Sequence, residues 1–335
     1  MKSFDVVALG ELLIDFTEAG QSPQGNPLWE ANPGGAPCNV LAMLQKLGRR
    51  TAFIGKVGRD VYGRQLRQTV SETGIDLRGL LEDPQIPTTL AVVHRLPDGD
   101  RDFSFYRSPG ADMMLREEEL DRNLLRDCEI FHFGTLSMTH EGVRNATKTA
   151  VLTAKTGGAL ISFDPNLRPP LWTSMEDARA QTVWGLSQCD VLKISDEELA
   201  FLFPEAVWGP EGRRAEGAAP DYPAGARKLL QEFPNVRMMN VTCGPGGSYC
   251  FCCGHELFTP AFLLGGTVDT TGAGDTFCAC VLHDVREQGL KGRSPEGLRR
   301  MLRFANAAAY LVTTRQGALR SMPSPAEVEA ILSDN

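Results

Sequence analysis

The chain contains no apolar run long enough to cross a bilayer, so its plan has no place for a membrane-spanning helix. It has no long Lys/Arg run either. With 34 Lys+Arg against 42 Asp+Glu, the net charge is −8, and the basic face that nucleic acid requires is missing. Neither a membrane nor a nucleic acid is an expected partner. No G-x-G-x-x-G follows the first strand-like run, which removes the dinucleotide fingerprint. The nine cysteines are odd in number and mostly scattered, and no paired C-x-x-C elements occur. That usage predicts reduced thiols in the cytoplasm, not a disulfide framework. Cys250, Cys252 and Cys253 cluster in an expected strand, where neighbouring side chains point to opposite faces, so a metal site is not expected there. The opening stretch MKSFDVVALGELLIDF carries acids within its apolar residues and lacks a small-residue cleavage site, so it is not read as a signal peptide.

What is present is an ordinary globular composition over 335 residues, 42% hydrophobic and 23% charged, enough for a large core. Short apolar runs recur as FDVVALG, TAFIGKVG, CEIFHFGTL, GALISFDPNLR, DVLKIS and VRMMNVTCG, separated by helical stretches. The alternation predicts an α/β fold with a doubly wound, mostly parallel sheet and helices on both faces. TTLAVVHRLPDGDRDFSFYR reads differently: two β-rich runs flank PDGD, a hairpin signal. The expectation is one domain over 1–335 with a small antiparallel β lid from segments near 15–31 and 88–110. GRDVYGRQ nearly spells a phosphate-binding loop, but Arg64 and Gln65 stand where Lys and Ser/Thr are required, so it is discounted.

The stretch TVDTTGAGDTF, residues 267–277, places Gly272, Ala273 and Gly274 before a lone acid, Asp275, and a long uncharged run. Glycines and the unpaired N–H groups of a first helical turn make a nest suited to an anion. A carboxylate beside such a nest repels the anion unless it takes a proton from an attacking hydroxyl. A plain helix start with an acidic first turn is the alternative. Further polar clusters fall at expected strand ends: Asp15, Gly34–Asn39, Asp164–Arg168, Lys193–Glu198 and Thr242–Gly247. Ligands in open α/β sheets bind beyond those ends.

Taken together, GELLIDF, NPGGAPCNVL, IGKVGRDVYG, FDPNLR, LKISDEEL, VTCGPGG, DTTGAGDTF, FANAAA and TRQGA resemble the ribokinase-like (PfkB-type) carbohydrate kinases across nearly the whole length. Within that family YRSPGADMML and FDPNLR look most like fructokinases. The resemblance implies ATP-dependent phosphorylation of a sugar primary hydroxyl, with ATP and Mg2+ as cofactors and K+ left open. Fructose is the expected substrate; 2-keto-3-deoxygluconate, an aminoimidazole riboside and ribose are alternatives on the same fold. A catalytically silent sugar-binding protein is the alternative from another class, and the intact Asp275 argues against it.

By resemblance, Asp275 is the general base, and the backbone of Gly272, Ala273 and Gly274 is the anion hole. Asp15, Gly34, Gly35 and Asn39 match sugar-binding positions. Asn166 and Arg168 lie near phosphate or sugar, and Arg107 reaches substrate from the lid. Lys193, Thr242, Gly244, Gly247 and Asn306 fall on the nucleotide side. Glu198 holds magnesium through water, with Ser195 where many relatives carry Asn. Asp269, Thr271, Gly317 and Ser321 fit a monovalent-cation loop. An exposed β-rich lid is an edge that invites pairing, so a homodimer is expected.

Overall fold

A computed structural model describes residues 2–95, 101–214 and 219–334. The strands in chain order are β1 (Phe4–Leu9), β2 (Leu13–Gln21), β3 (Pro27–Gly34), β4 (Thr51–Gly58), β5 (Asp76–Asp83), β6 (Leu90–Arg95) and β7 (Arg101–Tyr106). They continue with β8 (Cys128–Phe133), β9 (Leu160–Phe163), β10 (Val191–Ser195), β11 (Met238–Thr242), β12 (Ser248–Cys252) and β13 (His255–Thr259). Nine of them form one sheet in the order β13-β12-β11-β10-β9-β8-β1-β4-β5. Every neighbouring pair from β11 to β5 is parallel, and β12 and β13 add an antiparallel edge.

Burial on both faces explains the apolar runs. All of β1 is buried; Val6 and Ala8 face one layer, Val7 and Leu9 the other. A parallel sheet with helices on both sides requires such continuous apolar strands. One layer holds the helices Ala36–Lys46, Ala273–Gln288 and Pro295–Thr313, and the other holds Glu141–Thr156, Met175–Gln188 and Tyr222–Glu232. The doubly wound expectation is therefore met. After β1 the chain winds outward to β4 and β5, then returns to β8 on the other side of β1. The strand order reverses there, and that is where such sheets form a crevice.

The smaller sheet has four strands in the order β3-β2-β6-β7. Its β2–β3 and β6–β7 pairs are antiparallel, as hairpins must be, but the two hairpins join through a parallel β2–β6 pair. The sheet is thus mixed, which local hairpin signals could not reveal. The expected PDGD turn, residues 97–100, lies outside the described residues, as does 215–218 within the Pro/Gly/Ala-rich stretch. Among the described residues no helix is long and apolar enough to cross a membrane.

The string that resembles a phosphate loop is a structural joint. Asp60 Oδ1 accepts from the Gly63 N–H and the Thr88 hydroxyl, both at 2.8 Å, and Oδ2 accepts from the Thr88 N–H at 2.8 Å. This caps the helix Val61–Glu72 and ties it to the segment leading into β6. A Cβ on Gly63 would meet the Gly58 carbonyl oxygen at 1.8 Å. Gly63→Ala is therefore expected to lower stability by roughly 1–3 kcal/mol, the usual cost of overpacking. Urea denaturation checks this, and an unchanged midpoint would remove Gly63 from that role.

Candidate active site

The helix Ala273–Gln288 starts at Gly272, whose φ of 80° lies in the left-handed region. A Cβ there would stand 2.7 Å from Ala318 Cβ, so the turn needs glycine for conformation and for space. The Ala273 N–H donates to the Thr270 carbonyl at 3.3 Å. The N–H groups of Gly272 and Gly274 have no protein acceptor among the described residues. Asp275, one turn in, is buried, and its Oδ2 accepts from Asn39 Nδ2 at 2.8 Å.

Asn39 sits on the first turn of Ala36–Lys46, a helix whose N-cap, Gly35, offers no side chain. Glu11 supplies the cap from the end of β1: its Oε1 accepts from the Ala36 N–H at 2.9 Å. Gly35 has φ 134°, and a Cβ on it would lie 2.4 Å from the Glu11 carbonyl oxygen. The glycine pair is what allows this turn to pack on the end of β1. Asn39 Oδ1 is buried without a protein partner.

Asp164, just beyond β9, accepts from Lys193 Nζ at 3.1 Å through Oδ2 and from the Asn166 N–H at 3.2 Å through Oδ1. Asn166 has φ 43°, so the loop turns sharply here. Glu198 fixes the loop's other side. Its Oε1 accepts from the Leu167 N–H at 2.7 Å and its Oε2 from the Ser195 N–H at 2.8 Å, while the Ser195 hydroxyl accepts from the Glu198 N–H at 3.1 Å. Ser195 and Glu198 thus form a capping box.

These elements surround two cavities. The first, about 310 Å³, is lined by Asp15, Gly34, Gly35, Asn39, Asn166, Arg168, Lys193, Asp269, Thr271, Gly272, Gly274, Asp275 and Gly317 among others. Thr17, Asn32, Val93 and Phe105 of the smaller sheet complete its wall. The second, about 490 Å³, is lined by Thr242, Gly244, Gly247, Ala273, Gly274 and Asn306, with Phe262, Phe277 and Tyr310 as apolar walls. Thr270 and Gly274 line both, so the cavities meet at the start of the Ala273–Gln288 helix.

Three expected site residues stand outside both cavities. Arg107 is buried against Asp112, with Nε donating to Oδ2 at 2.8 Å, and it also donates to Thr139 Oγ1 at 2.8 Å and the Leu136 carbonyl at 3.0 Å. Glu198 is committed to the two backbone N–H groups described above. Ser321 donates its hydroxyl to the Gln316 carbonyl at 2.6 Å. Asn306, though it lines the second cavity, is itself a clamp: it accepts from Ser248 Oγ at 3.0 Å and donates to the Thr259 and Pro260 carbonyls. Asp269 accepts from the Thr271 N–H at 2.8 Å and the Gly317 N–H at 3.1 Å, so three of the expected cation-loop residues do come together.

Burial raises Asp275 to about 6; Asp164 pushes the same way, against the Asn39 hydrogen bond and the Lys193 and Arg168 charges. Burial likewise raises Asp15 to about 7, opposed by Arg168 and aided by Asp269 and Asp275. For Lys193 burial acts downward, but Asp164, Glu198 and Asp275 outweigh it, so the ammonium is held charged. Glu11, raised to about 7 mainly by burial, was not singled out from the sequence, nor was Asp164 as more than a loop boundary. The G-E and D-P-N strings were visible, but what each acid touches lies 25 and 29 residues away.

The pfkB family carbohydrate kinase model matches residues 3–325, and the chain belongs to that family. It is 38% identical over 331 residues to probable fructokinase-3 of Arabidopsis thaliana, covering 98% of this chain and 91% of that one. Among solved structures it is similar to fructokinase with bound ATP from Xylella fastidiosa (TM-score 0.85, 31% identity, 98% of each chain). It is also similar to fructokinase from Vibrio cholerae in a fructose-, ADP- and calcium-bound form (TM-score 0.82, 27% identity, 98% and 99% covered).

Holding Asp275 ionised in this site costs stability at neutral pH. The folded state binds its proton up to about pH 6, the unfolded state only to its ordinary 3.8, so stability falls as pH rises between those values. Asp275→Asn is therefore expected to exceed wild type by up to about 3 kcal/mol at pH 8, with the gap closing towards pH 4. Chemical denaturation at both pH values checks this, and a variant no more stable at pH 8 would contradict it.

Proposed function

We propose that this kinase transfers the γ-phosphoryl group of ATP to the primary hydroxyl of D-fructose, giving fructose 6-phosphate, with the sugar in the smaller cavity and the nucleotide in the larger. The observation that carries the reading is Asp275, a buried carboxylate lining the first cavity, next to Gly274 where the two cavities meet and beside backbone N–H groups with no protein acceptor. The names of the relatives and of the solved structures support the choice of sugar and nucleotide.

In this mechanism Asp275 takes the hydroxyl proton as the sugar oxygen attacks the γ-phosphorus and the bond to the β–γ bridging oxygen breaks. Gly272 and Gly274 N–H groups, with Ala273 between them, receive charge on the transferring phosphoryl without reorganising. Arg168 and Lys193 supply positive charge on the same side. Asp15 and Asn39 hold sugar hydroxyls, and the orphaned Asn39 Oδ1 is an acceptor with a place for one. Among the described residues no three His, Cys, Asp or Glu side chains are grouped so as to hold a metal ion. That fits a magnesium ion carried by phosphates and water, which would neutralise phosphate charge. Asp269, Thr271 and Gly317 would order the anion hole around a monovalent cation. The smaller sheet acts as the lid of one kinase domain, and through its exposed Leu28, Trp29 and Tyr106 it pairs two copies into a cytoplasmic homodimer.

Asp275→Asn is expected to lower turnover by roughly 10²–10⁴-fold with little change in sugar affinity. ADP release and calorimetric sugar binding separate the two, and near-normal turnover would remove Asp275 from the chemistry. Because the base must be ionised, kcat/KM for sugar should fall on the acid side with an apparent pKa between about 6 and 7, from Asp275 and Asp15. A rate flat down to pH 4.5, as read in overlapping buffers, would contradict this. Fructose should exceed ribose and glucose in kcat/KM by at least about tenfold, the worth of one or two hydrogen bonds. A panel led by 2-keto-3-deoxygluconate or an aminoimidazole riboside would overturn the sugar and leave the kinase standing.

A further inference from the structure

The tip of the β12–β13 hairpin carries a feature that phosphoryl transfer does not use. Cys252 pairs with His255, so the turn consists of Cys253 and Gly254 alone. Their φ angles are 54° and 79°, both left-handed. A turn of this kind favours Asn-Gly, yet the first position is a cysteine. The Cys252 and Cys253 sulfurs lie 3.6 Å apart, with Cys253 exposed and Cys252 buried beneath it. Cys253 also reaches the loop between the Ala273–Gln288 and Pro295–Thr313 helices, where its S–H donates to the Leu290 carbonyl at 3.3 Å.

The surroundings of Cys253 favour a thiolate. The backbone N–H of Arg293 has the largest effect; with the Cys252 thiol, the Gly292 N–H and the Arg293 guanidinium it outweighs burial and holds the thiol below its ordinary value. A thiolate is the reactive form towards electrophiles. The neighbouring Cys252 is pushed up to about 12 by burial and by the Cys253 sulfur. One sulfur is therefore poised to attack first, and the second stands next to it.

We propose that Cys252 and Cys253 form a vicinal dithiol site that takes a trivalent arsenical, with a single arsenic atom bridging both sulfurs. Adjacent residues have Cα atoms about 3.8 Å apart, below the roughly 4.4–6.8 Å that disulfides adopt. Direct closure to a disulfide therefore conflicts with the turn, whereas an atom inserted between the sulfurs does not require them to meet. With an arsine oxide, each sulfur forms one bond to arsenic, and the two thiol protons leave with the arsenic-bound oxygen as water. Arsenic keeps its oxidation state, so no oxidant is needed. Neither cysteine lines the sugar or nucleotide cavity, and the site stands whether or not the kinase reading does.

The experiment is titration of the intact, reduced protein with phenylarsine oxide, read by intact mass and by alkylation mapping of the remaining thiols after unfolding. One arsenic per chain is expected, protecting Cys252 and Cys253 together. Cys253→Ser alters an exposed position and should bind at least about 100-fold more weakly, because the second sulfur no longer acts intramolecularly. Cys252→Ala should do the same, with circular dichroism as the folding control; if it does not fold, Cys253→Ser decides alone. Unchanged arsenical binding by Cys253→Ser, or protection of a different pair of thiols, would overturn the proposal.

Discussion

A hydrogen bond between residues 236 apart in sequence, from Asn39 Nδ2 to Asp275 Oδ2, joins the two helices around which the candidate site is arranged. Each helix starts at a glycine in a left-handed or otherwise glycine-only conformation, Gly35 and Gly272. Each has a terminus that another part of the chain organises. Glu11 caps the first, while Ala318 packs against the glycine that opens the second. A carboxylate in so buried a place needs donors and positive charge. Asn39 supplies the donor, and Lys193 on β10 and Arg168 in the loop after β9 supply charge. The ends of β1, β9 and β10 on the same edge of the sheet, beside the reversal of strand order between β1 and β8, bring those groups together.

The acids form a graded set around this bond. Asp164 is neutralised by Lys193 at 3.1 Å, whereas Asp15 and Glu11 are left with burial as the dominant influence on them. Desolvation thus brings Glu11, Asp15 and Asp275 into the range near neutral pH. Buried acids raised together around one cavity are the pattern expected where proton transfer is needed. It also explains why the same residues weigh against stability: a buried carboxylate stays ionised only because the rest of the fold enforces it.

The backbone plan was legible because it is written locally. Apolar runs marked the parallel strands, turn residues marked their ends, and the G-A-G-D element marked the helix start. What the sequence hid were pairings. Arg107 reads as an exposed lid cation, but folding buries it against Asp112, five residues on, and binds it to Leu136 and Thr139 after β8. Glu198 reads as a metal-facing acid, yet its oxygens hold the backbone at Leu167 and Ser195. Arg107 has partners that no spacing rule reveals, whereas the S-x-x-E spacing of Ser195 and Glu198 is a capping-box signature and only the bond to Leu167 was hidden. The parallel β2–β6 pair was hidden for the same reason, since its strands come from two separate hairpins.

Those hidden pairings change what each residue can do. Arg107 follows directly on β7, and its anchorage beside β8 fixes the root of the smaller sheet to the larger one. Val93 and Phe105 then line the first cavity from strands whose base is held. The Arg107–Asp112 pair, buried at that end, thus ties the small sheet to the segment that follows β8. The loop bearing Asn166 and Arg168 is likewise fixed from behind, by Glu198. Rigid backing of this kind holds the few side chains around the start of the Ala273–Gln288 helix in a fixed geometry.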